Sequence, residues 1–287
     1  TLDYVGRGRA GVRVQVSPRA QEAAHLGRRT FPAFRLDGGP LPPEFADAFE
    51  EAADYVEVLR RLWDSWEDDA EIRDVATGRF VDRDKLHYID FEGRWFSVRG
   101  PSVTPRPPQG QPVVAALGHS MALGHGSVPF RLIARSADIG FVTPGDRDQA
   151  AEIVSEIRAL QTEAWRDDET IPVFADLVVF LDDDAPAARA RRERLDERAG
   201  TAYASDALIF TGTPAALADL LLDWRQAGLA GFRLRPAALP HDLLQITGSL
   251  VPVLQRRDSF RTSYPETRAT LRGLLGLPRP ASRYARA

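Results

Sequence analysis

Cysteine is absent from the 287 residues of this chain, and methionine occurs only once. Without cysteine the chain cannot form disulfides, use a thiolate nucleophile or ligate a metal through sulfur. This absence fits a reducing compartment, so we expect a cytoplasmic protein. Apolar runs also stay shorter than the ~18–20 residues needed to cross a bilayer, so no membrane span is predicted.

Strongly basic stretches are scarce as well. Lys and Arg number 37 against 41 Asp and Glu, which gives a formal net charge of −4. The densest group of arginines, Arg189–Arg198, alternates its charges as a solvated helix face does, so no nucleic-acid partner is predicted. The five histidines lack the spacing of a helix-borne ligand pair, and Asp182–Asp184 is typical of a helix entry. No metal site is expected.

Strand patterns alternate with helix patterns along most of the chain. Alternating or continuous apolar runs predict strands at Ala10–Val16, Val113–Val114, Ile139–Val142, Val173–Leu181 and Gly231–Leu234. Apolar residues spaced three and four apart predict helices at Glu44–Trp66, Phe130–Ala137, Arg147–Trp165, Asp182–Arg198, Thr213–Ala227 and Leu239–Leu254. This alternation indicates a parallel sheet with helices outside it, either a barrel or a doubly wound sheet.

Two segments interrupt the alternation. Residues 67–109 keep neither the alternation of a strand nor the three-and-four apolar spacing of a helix for long. We interpret them as an insertion with a short strand pair around Asp90–Val98. Such an excursion can be a lid over a site or a cover at the edge of the domain, and the pattern does not choose between them. Residues 257–287 form a basic, proline-bearing tail that we expect to pack around the outside.

The stretch Pro105–Val142 predicts strand, loop, helix and strand, which is the βαβ unit of a parallel sheet. Its loop contains two similar copies, Ala116–His119 and Ala122–His125, both reading ALGH. A loop of this kind, bearing glycine and serine before a helix, leaves backbone N–H groups and the positive helix end available to an anion. Such an anion is commonly a cofactor phosphate.

The same loop also allows a different chemistry. Gly118–Ala122 reads GHSMA, close to the G-x-S-x-G elbow that presents a nucleophilic serine, here Ser120, in α/β-hydrolases. His241, with Asp206 or Asp219, would complete a triad in the required chain order. The last glycine of the elbow is replaced by alanine, and nothing around His241 forms a catalytic motif. A serine hydrolase is therefore an alternative function.

Segments from the first residue to the last, in order, carry a family resemblance. They include TLDYVGRGRAGVRVQVS, GRWFSVRGP, PQGQPVV, IARSADIGF, GTPAALADLLLDW and TLRGLLGLPRPASRYA. Together they resemble the bacterial-luciferase-like flavin-dependent monooxygenases, in the group of the nitrilotriacetate, alkanesulfonate, long-chain alkane and dibenzothiophene-sulfone monooxygenases.

The resemblance implies an α/β fold, a (β/α)₈ TIM barrel that forms a single domain over residues 1–287. Ala10–Val16 corresponds to its fourth strand, so the first three strands would be missing from this chain. The chain also opens at Thr1 directly into dense sequence. We therefore expect either a fragment of a longer protein or a numbering that starts late, because five strands cannot close an eight-stranded barrel.

The resemblance further implies the cofactor and the partners. Reduced FMN, supplied by a separate NAD(P)H-dependent flavin reductase, would react with O₂ to give a C4a-peroxyflavin that oxygenates a small organic substrate. A homo-oligomer is also expected. No protein residue is nominated as a general base, since a peroxyflavin reduces the need for one.

Residues of the predicted fourth strand provide part of the flavin site by resemblance. The family pattern of Trp-Asn followed by Thr-Ser corresponds here to Val12, Arg13, Val16 and Ser17, so only the serine is retained. We expect Ser17 to lie near the flavin ring and Arg13 to approach a flavin carbonyl or the phosphate. An arginine engaged in an ion pair at the barrel mouth is the alternative for Arg13.

The phosphate is expected at the second copy of the duplicated loop. Counting back from Ile133–Arg135, that copy has the family spacing, which favours Gly124, Gly126 and Ser127 over Gly118 and Ser120. His125 lies beside this cradle and either donates to the phosphate or is only structural. Phe49 replaces a family tyrosine near the phosphate, so a non-catalytic or deazaflavin-using paralogue remains an alternative.

Overall fold

The computed structural model describes residues 1–17, 20–27, 30–31, 43–119, 127–264 and 269–285. Its strands are β1 (Gly11–Val14), β2 (Glu71–Asp74), β3 (Arg79–Val81), β4 (Phe91–Glu92), β5 (Ser97–Val98), β6 (Val113–Gly118), β7 (Ile139–Val142), β8 (Val173–Leu181), β9 (Leu208–Gly212) and β10 (Gly231–Pro236). Its helices are α1 (Leu2–Val5), α2 (Ala20–Leu26), α3 (Pro43–Asp64), α4 (Val128–Ser136), α5 (Arg147–Glu163), α6 (Ala185–Ala199), α7 (Pro214–Arg225), α8 (His241–Gln245), α9 (Val251–Arg256) and α10 (Leu271–Leu274).

A parallel sheet with the strand order β1-β6-β7-β8-β10 is the centre of the fold. The predicted strands are all present in it, and helices connect most of them, so the α/β prediction is confirmed. The sequence analysis missed β9, which pairs with the second half of β8 while β7 pairs with the first. Its five residues stand directly before the helix start at Thr213, where the helix pattern dominates.

Helix starts were predicted well because their caps are local. The side chain of Thr213 accepts a hydrogen bond from the Ala216 N–H at 3.2 Å, and Pro214 follows at the first helical position. Asp184, the last residue of the acidic triplet, caps α6 by accepting from the Ala187 N–H at 2.7 Å. The triplet is therefore a helix entry, as expected.

The two faces of the sheet differ because successive side chains of a strand point to opposite sides. Val114 and Ala116 belong to the main core, which α4, α5 and α7 cover. Val113 and Ala115, which alternate with them, belong to a smaller cluster on the other side. We call this second side the inner face of the sheet.

The C-terminal tail closes the end of the sheet at which the strands begin. Leu277 is buried in the cluster that contains Val113 and Ala115. Arg272 is also buried, and its Nε donates to the Gln111 carbonyl at 2.6 Å. Two tail residues are therefore buried at that end, while most of the described tail is exposed.

The insertion at 67–109 contains the predicted hairpin, β4 with β5, and a second hairpin, β2 with β3, that was not predicted. Buried Arg106 fastens it to the last residue of α3, with its Nε 2.9 Å from Asp64 Oδ1. Since α3 leads into β6, this anchor lies at the end where the strands begin. These contacts favour the structural cover over the lid.

Among the described residues, no helix combines the length and the apolarity that a membrane span requires.

Candidate functional site

Charged side chains lie on the inner face of the sheet, where an apolar interior would be the default. Arg233 and Arg235 alternate with Phe232 and Leu234, which pack against the main core. Asp176 likewise alternates with core residues of β8. Because side chains at i and i+2 share a face of a strand, both arginines and the aspartate point to the inner face.

Five side chains form a connected set that we call the inner charged cluster: His119, Asp176, Asp206, Arg233 and Arg235. Arg233 donates to Asp176 Oδ2, which belongs to its register partner on the adjacent strand. Arg235 Nη2 donates to Asp206 Oδ1 at 2.9 Å and lies 3.9 Å from Asp176 Oδ2. His119 Nδ1 is 3.5 Å from Asp206 Oδ2. The cluster thus runs from the middle of the sheet to the carboxyl end of β6.

Burial changes the protonation of this cluster. Desolvation raises the pKa of fully buried Asp176, although hydrogen bonding and charge from Arg233 oppose the rise. Desolvation also lowers the pKa of His119, against the opposing effect of the carboxylates, so this imidazole is neutral at pH 7. For Asp206 burial acts to raise the pKa, but the hydrogen bond and charge of Arg235 outweigh it and the pKa is lowered.

Several polar atoms of the cluster lack a hydrogen-bond partner within the described part of the chain. They are Asp176 Oδ1, Arg233 Nε and Arg235 Nε. A buried polar atom left unsatisfied costs about 1–3 kcal/mol, so such atoms commonly mark a place where water or a ligand binds. The guanidinium of Arg233 also lies 4.7 Å from the centroid of the Phe141 ring, which restricts its orientation.

The predicted flavin residues of β1 divide between the two faces. Val12 and Val16 pack against the main core, so neither faces a ligand on the inner side. Arg13 is exposed on the inner face, and its charge contributes to lowering the pKa of His119. Ser17, which follows the strand, donates its hydroxyl to Glu22 Oε2. The structure therefore places Arg13 on the same face of the sheet as the inner charged cluster, where its charge acts on His119.

The predicted phosphate cradle is described only in part. Gly124, His125 and Gly126 lie outside the described residues, while Ser127 is the N-cap residue of α4. Its side chain makes no capping hydrogen bond, and its carbonyl accepts from the Arg131 N–H at 2.8 Å. The placement of Ser127 at a helix N-terminus is as expected, and its contact with a phosphate stays a prediction.

Gly118, in the first copy of the loop, has a packing role. A Cβ at this position would lie 2.5 Å from the Phe130 ring and 3.2 Å from Ile133 Cδ1. Glycine is needed here so that β6 and α4 can approach each other. Phe49 also packs against the main core, on the helix-covered side of the sheet.

The triad proposed for a serine hydrolase does not assemble. Ser120 lies outside the described residues, and His241 Nε2 is 2.8 Å from Asp182 Oδ1. Asp206 pairs with Arg235 in the inner charged cluster. Asp219 is an exposed residue of α7 and pairs with Arg257. Neither candidate aspartate therefore orients His241, and the hydrolase alternative has no support.

Neither a metal-ligand grouping among the described residues nor the cleft beside Gln111 coincides with this site. No cluster of three or more His, Asp or Glu side chains suited to a metal occurs within the described ranges. A cleft of about 680 Å³ opens beside Gln111, Asp138 and Arg272. These residues precede β6 and β7 or belong to the tail, so the cleft is at the opposite end of the sheet from the carboxyl ends of the strands.

The sequence analysis missed Asp176, Arg233 and Arg235 as members of a site. The signal was present, because Asp176 interrupts an otherwise apolar strand and the two arginines alternate within GFRLRP. An ionisable residue that faces the interior needs a partner of opposite charge or a hydrogen bond. When two such residues lie on separate strands, their pairing can be predicted only if the order of the strands is known. That order is a tertiary property.

Comparison with known proteins gives a consistent family. The family model described as luciferase-like monooxygenase matches residues 1–206. N-acetyl-S-(2-succino)cysteine monooxygenase of Bacillus subtilis (strain 168) is 29% identical over 348 aligned positions, which span 100% of this chain and 75% of that protein. Nitrilotriacetate monooxygenase component A of Aminobacter aminovorans is 30% identical, over 100% of this chain and 72% of that protein.

A solved structure supports the fold. The crystal structure of a riboflavin lyase, which contains a modified FMN and riboflavin, superposes with a TM-score of 0.77 at 23% identity. The superposition covers 98% of this chain and 71% of the lyase. At that level of identity the likeness concerns the fold alone.

Proposed function

Because the chain belongs to the luciferase-like monooxygenase family, we propose that it uses reduced FMN and O₂ to oxygenate a small organic substrate. The observation that carries this proposal is the match over the full chain to monooxygenases, together with the match to the luciferase-like monooxygenase family model. The inner face adds support, since ligands of α/β barrels bind where the carboxyl ends of the strands meet. Bound reduced flavin supplies the electrons with which O₂ is activated.

The phosphate of the flavin is proposed to bind at the start of α4. This helix has nine residues and begins directly after Ser127, so its first backbone N–H groups and its positive end come just after Gly124–Gly126 in the sequence. The Ser127 side chain makes no cap hydrogen bond, which leaves its hydroxyl available to a phosphate oxygen. His125 lies within this segment and is proposed to flank the phosphate.

The ring system is proposed to lie along the inner face, near Arg13 and Ser17. Arg13 is a cation on that face, and a cation beside a flavin carbonyl favours electron density on the ring. The polar atoms of the inner charged cluster that lack partners fit a polar ligand better than an apolar filling.

A separate NAD(P)H-dependent flavin reductase is proposed as the source of reduced flavin. The nitrilotriacetate relative is named as component A of its monooxygenase, which is consistent with a second component that acts with it. The predicted homo-oligomer stays a prediction.

Anaerobic titration with FMN, reduced FMN and a deazaflavin, followed by absorbance and fluorescence, tests the proposal. We expect reduced FMN to bind more tightly than the deazaflavin. Absence of binding by all three would refute the proposal that the protein is a flavoenzyme. Tighter binding of the deazaflavin would indicate that a deazaflavin, not FMN, is the cofactor.

A pair of serine variants tests the location of the phosphate. Ser127→Ala removes no capping hydrogen bond, so the helix should keep its stability while FMN affinity falls about tenfold. Ser120→Ala is the matched control and should change FMN affinity little. The reverse order would place the phosphate at the first copy of the loop.

A further inference from the structure

The inner face carries more positive than negative charge once Arg13 is counted with the inner charged cluster. Arg233 and Arg235 face Asp176 and Asp206 within it, and Arg13 adds a third guanidinium on the same face. His119 contributes no charge at neutral pH, since desolvation lowers its pKa. With both carboxylates ionised the surplus is one positive charge.

The two arginines of β10 also have hydrogen-bond donors without partners in the described part of the chain. Each guanidinium has five N–H donors in a rigid planar fork. Within the described residues, Arg233 donates to Asp176 and Arg235 donates to Asp206, while the Nε atoms of both arginines have no partner. About a third of each arginine side chain remains exposed, so their outer edges are accessible.

The orientation of these arginines is restricted by the Phe141 ring and by Asp176. Arg233 lies over the Phe141 ring, with 4.7 Å from its guanidinium carbon to the ring centroid. Fully buried Asp176 holds Arg233 directly and is 3.9 Å from Arg235. Two guanidinium groups two residues apart on one strand are therefore presented side by side on the inner face, with little conformational entropy left to lose on binding.

From this geometry we propose that Arg233 and Arg235 bind a carboxylate of the substrate, and hence that the substrate is an anionic organic acid. A planar carboxylate matches the guanidinium fork, and the surplus charge compensates its desolvation. The assignment rests on the proposed function, because it makes the inner face the place where substrate meets flavin.

The competing explanation is that the arginines serve only to neutralise Asp176 and Asp206 between strands. In that case the cluster is a structural ion-pair network, and added carboxylates should not bind to it. Removing one carboxylate separates the two explanations. Loss of Asp206 frees Arg235 for a ligand, whereas in a purely structural network it only removes a contact.

The experiment is isothermal titration calorimetry of the purified chain with succinate and propane-1,2,3-tricarboxylate, with neutral succinamide as the control ligand. We expect both acids to bind and succinamide not to bind. Arg235→Gln should weaken binding of the acids about tenfold or more, since it removes a charge-assisted hydrogen bond. Arg235→Lys keeps the positive charge but lacks the planar guanidinium, so its affinity for the acids should lie between those of Arg235→Gln and of the native chain.

Two further variants make the result specific. Asp206→Asn should strengthen succinate binding several-fold, an effect that a structural network would not produce. Arg147→Gln is the matched control, because Arg147 pairs with Asp223 at 3.0 Å on the helix-covered side, away from the inner face. It should leave succinate binding unchanged.

The outcomes separate this inference from the proposed function. If FMN binds but succinate does not, or if Arg235→Gln binds succinate as well as the native chain does, the substrate assignment is overturned alone. If Arg235→Gln lowers the affinity for FMN as much as the affinity for succinate, the arginines belong to the flavin site and the substrate assignment is also overturned. If no flavin binds while the succinate results hold, the proposed oxygenation fails but the anion site stands. Circular dichroism of each variant verifies that it is folded.

Discussion

Replacing Asp138 by alanine should remove the charge that holds the beginning of the sheet together. This carboxylate lies directly before β7, and its Oδ2 accepts from the Val114 N–H at 2.7 Å. Its Oδ1 accepts from Arg272 Nη2 at 2.8 Å and lies 3.2 Å from Arg60 Nη2. One aspartate therefore joins a strand of the sheet, the long helix α3 and the C-terminal tail.

The size of the effect follows from burial. The side chains of Arg60 and Arg272 are only 11% and 5% exposed, and that of Asp138 is 8% exposed. Asp138→Ala leaves two buried cations without their counter-charge and one backbone N–H of a central strand without its acceptor. Breaking a buried ion pair by removing one partner costs about 3–5 kcal/mol, so we expect a loss in that range in the free energy of unfolding.

Urea denaturation followed by circular dichroism measures this loss. Asp223→Ala is the matched control, because Asp223 also pairs with an arginine, Arg147, at 3.0 Å but both side chains are nearly half exposed. An exposed pair of this kind contributes about 0–1 kcal/mol. The reasoning is refuted if the two variants unfold within about 1 kcal/mol of each other, since burial is the difference between them.

Three further predictions concern packing and protonation. Gly118→Ala should lower the free energy of unfolding by about 1–3 kcal/mol, because its Cβ would lie 2.5 Å from the Phe130 ring. Gly248→Ala is the control and should not lower it, because the space around Gly248 is open. Equal urea midpoints for the two variants would contradict this. Hydrogen bonds and charge from Arg279 and Arg106 lower the pKa of the Asp68 carboxyl to about 2. Its contribution to the free energy of unfolding is therefore complete above its ordinary pKa of 3.8 and is lost as the pH falls through 2. An Asp68→Asn variant with the same acid unfolding profile as the native chain would contradict this. In an NMR titration His119 should lose its proton below pH 6.5, since desolvation lowers its pKa, and a midpoint above 6.5 would mean that the carboxylates dominate.

Much of the secondary structure was predictable because its causes are local. Strands β7 and β8 were predicted with their observed bounds, since an apolar run between turn residues specifies a buried strand. The start of α7 was also predictable, because Thr213 and Pro214 act on their own turn. Most other helix bounds differed by one to three residues, where end residues fray, and the predicted helix Leu239–Leu254 is divided into α8, a π-helix at Ile246–Leu250 and α9.

The candidate site was predictable only in part. Arg13 was assigned to the flavin site by resemblance, and it lies on the inner face, where its charge helps to lower the pKa of His119. His119 was considered as part of the first ALGH copy and of the hydrolase elbow, yet it contacts Asp206, 87 residues further along the chain. Contacts across such separations depend on how the strands are ordered, which local patterns do not encode.

The sequence by itself determined the alternation of strands and helices, the family and the absence of cysteine chemistry, because each depends on residue type and near neighbours. The tertiary structure alone decided that Arg233 meets Asp176, that Asp138 neutralises two buried arginines, and that the tail fills the beginning of the sheet. The physical reason is that a buried charge must find its counter-charge in space. Which residue provides it is set by the order and register of the strands rather than by distance along the chain.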